Sequence, residues 1–187
     1  MKKFLIVAGC LVGVVVLLIV GMMIFMTILT SSNNAYKGDY TNILKTTDVS
    51  AKKALVVYQP SRSKELNKIA NQLAKGLNES GYEVTLSYPG THLSADVKDY
   101  SVLAFASPVY MGQPSTTLTD YMKGIKDFSN KKVIVFSIGS VEAAPEFEIL
   151  QKSINSGVIY KKIKFIAKDK GNEDKAYKLG LEVGKVK

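Results

Sequence analysis

The sequence predicts an α/β fold, a parallel sheet with helices on both faces, preceded by one long apolar helix. Three observations carry this. Short, nearly continuous apolar runs recur between residues 51 and 187, as in strands buried on both faces. Each is followed by a turn-prone loop and then by apolar residues three or four apart, the stripe of a packed helix. Finally, no charged residue lies between Lys3 and Lys37.

The apolar stretch comes first. Phe4 to Leu29 would make about 39 Å of helix against a hydrocarbon core of roughly 30 Å, enough to span with some tilt. A cleaved signal peptide would have an apolar region of only about 7–15 residues and an A-x-A-like site. Neither is present, so residues 1–30 read as an uncleaved, single-pass membrane anchor in contact with lipid. Gly9 and Gly13 form a G-x-x-x-G pair, a face on which two such helices can approach as a homodimer. Residues 31–50 are polar and aperiodic and read as a linker, with Ile43 and Leu44 placed to dock on the domain that follows.

The domain is residues 51–187. Ala54–Tyr58 is a buried strand, Gln59–Lys64 a polar loop, and Leu66, Ile69, Ala70, Leu73, Ala74 and Leu77 line one face of a helix. A strand, a hydroxyl-rich loop and a helix start together collect free backbone N–H groups at the positive end of a helix dipole, which is an anion site. Tyr82–Leu86 alternates and reads as an outer strand; Ser101–Ala106 is a second buried run, followed by a helix with Leu118, Tyr121, Met122 and Ile125 inward. Lys132–Ser137 is a third buried run, and Pro145 suits the start of the next helix. Ile163–Ile166 is a last strand, and Ala176, Leu179 and Val183 mark a last helix. Five strands alternating with helices make a parallel sheet, whose ligands bind outside the carboxyl ends of the strands.

Composition narrows the chemistry. One Cys and one His exclude an internal disulfide and a multi-cysteine metal site. His92 lies in a loop and reads as a surface histidine; Glu142, Glu146 and Glu148 read as acids serving a helix N-terminus. The net charge is +9, but no nucleic-acid motif accompanies it, so no nucleic acid is expected as partner.

The segment Ala106-Ser107-Pro108-Val109-Tyr110-Met111-Gly112-Gln113-Pro114-Ser115, after a buried strand, resembles the loop after the third strand of flavodoxin-like proteins. The run KALVVYQP with its loop, and the strand ending in Ile138-Gly139-Ser140, stand in the same order, and the resemblance spans about residues 52–185. It implies a flavodoxin-like three-layer α/β/α sandwich around a five-stranded parallel sheet, with an FMN site built from three loops. Ser61, Arg62, Ser63 and Lys64 would hold the phosphate. Pro108, Tyr110, Met111, Gly112 and Gln113 would carry the ring, with the Gly112 peptide near the ring nitrogen that gains a proton. Gly139, Ser140 and Val141 would edge it from the other side.

The chain also departs from that family. Lys64 stands where the family has glycine and Leu66 where it has a second threonine, and the loop is one residue longer. No tryptophan is present and residues 139–144 include no aromatic, which leaves Tyr88, Tyr100 or a partner to cover the second ring face. Electron-carrying flavodoxins tend to be acidic, whereas residues 51–187 carry 21 Lys or Arg against 14 Asp or Glu.

The resemblance therefore implies a membrane-anchored FMN protein passing electrons between a redox partner and a membrane acceptor, with no catalytic residue of its own. A flavin-dependent reductase of a quinone-like substrate, and a flavin-free binding module that retains the fold, are the alternatives. The side of the membrane is left open: Lys2, Lys3 and the amino terminus against Lys37 and Lys45 weakly favour the N-terminus inside and the domain outside, whereas flavin loading and reduced donors favour a cytoplasmic domain.

Overall fold

The computed structural model describes residues 2–185, and the side chains of residues 9–185. The chain divides into two units after Asn34. The first is a single helix, α1 (Lys2–Asn34), whose stretch Gly9–Asn34 is long and apolar enough to cross a membrane. Thr27 and Thr30 donate their hydroxyls back to the Met23 and Met26 carbonyls at 2.9 and 3.0 Å, so these polar groups add no unmet bond to the helix surface.

The second unit contains β1 (Thr41–Leu44), β2 (Lys53–Tyr58), α2 (Glu65–Glu79), β3 (Glu83–Ser87), β4 (Tyr100–Pro108), α3 (Thr116–Gly124), β5 (Lys132–Gly139), α4 (Glu146–Lys152), β6 (Ile159–Ile166) and α5 (Asn172–Lys185). The sheet runs β1-β3-β2-β4-β5-β6. All pairs are parallel except β1–β3.

Five parallel strands are present as the sequence pattern predicts, in an order that reverses direction between β2 and β4. The sixth, β1, is a correction: it lies within residues 31–50, read as polar linker, and it covers β3, which is therefore not the outermost strand. Its register sets Ile43 opposite Thr85 and Leu44 opposite Val84, and Thr41 Oγ1 meets Ser87 Oγ at 3.0 Å. A four-residue edge strand with three exposed positions offers no alternation to read, which is why the pattern misses it.

The continuous apolar runs have a simple cause. Ala54, Val56 and Tyr58 of β2 point to the face covered by α2 and α5, while Leu55 and Val57 point to the face covered by α3 and α4. On the first face Leu66, Ile69, Leu73 and Leu77 are fully or almost fully buried. Each such side chain contributes about 1.5–3 kcal/mol of transfer free energy. The α2–α5 crossing is close because it is lined by glycine. A Cβ on Gly180 would lie 2.4 Å from the Leu73 carbonyl oxygen, and one on Gly76 would lie 2.2 Å from that of Tyr177. This crossing fixes the helix whose first turn opens the candidate site.

Candidate functional site

Three loops leave the carboxyl ends of β2, β4 and β5, flanking the point where the strand order reverses. Open parallel sheets bind ligands at such a point. Adjacent backbones tie the first two loops together, Gln59 N donating to Ala106 O at 2.9 Å, and Val109 N donates to Ile138 O at 2.9 Å between the second and third.

The first loop is Gln59–Lys64. Ser61 Oγ accepts from Leu66 N at 3.3 Å, and Ser63 Oγ accepts from Glu65 N at 3.4 Å, so both hydroxyls face the opening amides of α2. Arg62, Ser63 and Lys64 are exposed. Lys64 has φ 58, in the left-handed region, where a side chain costs roughly 1–2 kcal/mol and glycine costs little. The chain therefore keeps the backbone shape that suits the family's glycine while carrying lysine there. Glu65 is turned away from the loop: its Oε1 accepts from Lys168 N at 2.9 Å and Asn172 Nδ2 at 3.3 Å. Its charge is thereby committed to the β6–α5 connection.

The second loop is closed from below. Ser107 Oγ accepts from Ser115 N at 2.7 Å and donates to Pro108 O at 2.8 Å, all of it buried. At the tip, Tyr110 N donates to Gln113 O at 3.2 Å and Gln113 N to Tyr110 O at 3.0 Å. With φ 54 at Met111 and φ 73 at Gly112, the tip is a turn with both central residues left-handed. Pro108 is buried, Tyr110 half-buried and Gln113 exposed, while Met111 stands 68% exposed at the tip. The third loop carries Val141 63% exposed, with Ser140 exposed beside it. The two loops touch, since a Cβ on Gly112 would lie 3.0 Å from Pro145 Cγ. Each thus presents one bare aliphatic side chain at the same edge of the sheet.

The aromatic residues separate. Tyr58, Tyr40 and Tyr88 pack together, with ring centroids 4.5 Å apart for Tyr40–Tyr88 and 5.1 Å for Tyr58–Tyr88. Burial, with Tyr88 beside it, pushes the Tyr58 phenol well above its ordinary range. Asn67 of α2 donates to Tyr88 Oη at 3.5 Å, on the first-loop side. Tyr100 lies at the amino end of β4 and donates to Thr85 Oγ1 at 3.3 Å, so it cannot cover a ring at the carboxyl edge. It lines instead a cavity of about 690 Å³ with Lys98, Lys126 and Lys131 at the amino edge. That cavity lies at the amino edge of the sheet, away from the three loops at its carboxyl edge.

Two readings of single residues are corrected. His92 is not a free surface histidine: Nδ1 lies 2.9 Å from Asp39 Oδ1, and Nε2 lies 3.2 Å from Ser87 Oγ. It fastens the segment before β1 to the loop after β3, a partnership spanning 53 positions that no local pattern announces. Glu146 does lie in the first turn of α4, but its carboxylate is taken up in the interior as well. It is fully buried, and its Oε1 accepts from Ser137 Oγ at 2.5 Å and Lys164 Nζ at 2.6 Å. Ser137 and Lys164 are register partners in β5 and β6, which the sequence does not reveal until the strands are paired. Among the described residues no group of three or more His, Cys, Asp or Glu could hold a metal ion.

No protein-family model matches the chain, and no curated protein matches it. Solved structures do. Flavodoxin 2 from Bacillus cereus superposes with a TM-score of 0.54 at 23% identity, over 69% of this chain and 95% of that one. A Streptococcus pneumoniae flavodoxin gives 0.55 at 17%, over 70% and 98%. Rubredoxin oxygen:oxidoreductase from Desulfovibrio gigas gives 0.58 at 14%, over 71% of this chain but only 35% of that protein. The fold is flavodoxin-like. At these identities the likeness speaks for the architecture, and the chemistry must be argued from the residues at the three loops.

Proposed function

We propose that the chain is an electron-transfer flavoprotein that binds FMN at the three loops and is held at a membrane by α1. The conformation of Lys64 carries the reading. A left-handed non-glycine residue is a cost that persists where the surrounding structure has a use for it. Here it lies next to two hydroxyls and the opening amides of α2. A loop released from phosphate binding would be expected to relax to an ordinary turn.

The residues fit the group. The Ser61 and Ser63 hydroxyls, at the positive end of the α2 dipole, offer uncharged donors to the phosphate, and Arg62 and Lys64 add charge at its exposed side. Met111 and Val141 supply apolar surface for the ring, and the Gly112 peptide lies on the turn between them. FMN, when bound, supplies the redox chemistry, and the protein contributes position and electrostatics. The aliphatic Val141, in place of an aromatic cover, leaves room at one ring face. That favours, as second reading, a reductase of a quinone-like substrate.

The test is the visible spectrum of the full chain, purified in mild detergent and mixed with FMN. Bound flavin gives resolved absorption bands and quenched fluorescence, both weakened by Ser61→Ala combined with Arg62→Ala. A chain that leaves FMN fluorescence unchanged is a flavin-free module, and the proposal fails. Turnover with NADH and a quinone on the same sample would move the assignment to the reductase.

A further inference from the structure

Among the described residues, Glu146 is the one acidic side chain that is fully buried. Its Oε1 takes both hydrogen bonds, from Ser137 and Lys164, while its Oε2 is buried with no hydrogen-bond partner. Lys164 is itself only 11% exposed at its side chain. A buried ion pair is poor value as a stabiliser, because desolvation cancels much of its attraction and an apolar pair of the same size does as well. A half-satisfied one is worse. Its position therefore calls for another reason.

That position is under the junction of the second and third loops. Ser137 and Lys164 face each other in the β5–β6 register, two residues before β5 ends at Gly139. A Cβ on Gly139 would lie 3.0 Å from Lys164 Nζ and 3.6 Å from Val109 Cβ, so the ammonium sits against the peptide from which the third loop departs. Glu146 follows Pro145, the residue that touches Gly112 of the second loop. The ammonium and the carboxylate thus lie beside the bases of the two loops assigned above to the flavin ring, with little water to screen them. Charges in such surroundings act strongly on a group whose own charge changes.

We propose that the buried Glu146–Lys164 pair sets the reduction potential of the flavin, Lys164 favouring the negative charge gained on reduction and Glu146 limiting that effect. This rests on the FMN reading. Two electrons and one proton entering the ring leave it with one negative charge. With both partners charged the pair is neutral overall, and the ring experiences only its dipole. Either partner removed exposes the ring to a single charge, and the sign depends on which partner remains. Neither residue is catalytic; both act through their charge.

The experiment is a dye-linked redox titration with dithionite of the FMN-loaded full chain in detergent. Glu146→Gln leaves the cation and raises the midpoint potential; Lys164→Met leaves the anion and lowers it. Each changes the ratio of reduced to oxidised FMN affinity by about tenfold, or about 30 mV for a two-electron couple. The double variant and Lys164→Arg return close to the original value. A structural role would move both single variants in one direction or neither, and either result overturns the proposal. Should a single neutralisation unfold the domain, Glu146→Asp withdraws the carboxylate by one methylene and still raises the potential; an unchanged potential there overturns it equally. A wild-type chain that takes up no FMN refutes the flavin reading itself, and this inference with it, before any variant is made.

Discussion

Gly180→Ala is the sharpest perturbation of the packing that holds the first loop. The added Cβ would lie 2.4 Å from Leu73 O, 2.7 Å from Leu77 N and 2.9 Å from Gly76 C. All three are backbone atoms of α2, so no side chain can swing aside. Ordinary contact begins at 3.4 Å, and α2 and α5 must part by about 1 Å to restore it. Overpacking of this kind costs about 1–3 kcal/mol, while alanine in place of glycine returns about 1 kcal/mol of helix propensity. The balance is a loss of up to about 2 kcal/mol, or up to roughly 8 °C in Tm for a domain of this size. Thermal unfolding of the full chain in detergent, followed by near-UV circular dichroism, measures it. Gly124→Ala is the control, because its Cβ would meet only Ala95 Cβ at 3.9 Å and the substitution should be neutral or slightly stabilising. Equal gains in Tm from both substitutions would refute the argument that the helices are in backbone contact.

Two further outcomes follow from the same structure. Cutting the chain after Asn34 should leave residues 35–187 soluble and cooperatively folded, since β1 is retained and both core clusters lie beyond the cut. Cutting after Ser50 instead removes β1 and exposes the β3 edge, so that shorter fragment should melt earlier and aggregate, as light scattering would show. Gly112→Val places a β-branched residue at φ 73 with its Cβ 3.0 Å from Pro145 Cγ, which costs about 1–1.4 kcal/mol and should weaken FMN binding roughly five- to tenfold by fluorescence titration. Gly112→Asn, which tolerates the left-handed region, should recover most of the loss; equal affinities for all three proteins would remove the 110–113 turn from the site.

What the sequence discloses is governed by how local the cause is. The runs 54–58, 102–106 and 133–136 are legible because a strand buried on both faces must be apolar at every position. The helix stripe beginning at Leu66 is legible for the matching reason. The turn at 110–113 is suggested by Gly112, but nothing marks Met111 as left-handed, since its conformation is imposed by closure of the Tyr110–Gln113 pair. The strand β1 is hidden because its partner supplies the order it lacks. Glu146 is hidden more thoroughly: at the start of a helix behind proline it resembles any acid in a first turn. Its burial is decided by Lys164, which only the β5–β6 register brings beneath Gly139.

The two edges of the sheet bear on how this domain behaves in a crowd. Each border of an open sheet offers unpaired amides and carbonyls on which a neighbouring chain can dock and extend the sheet. One border here is β1, only four residues long and so too short for a visiting strand to gain many bonds. The other is β6, where exposed Tyr160 and Lys162 alternate with half-buried Lys161, and where any identical strand would bring its own lysines alongside. Like charges set opposite one another repel, so growth from that border is opposed from the first step. Sheet borders that refuse further strands oppose edge-to-edge stacking of this domain even where its local concentration is high.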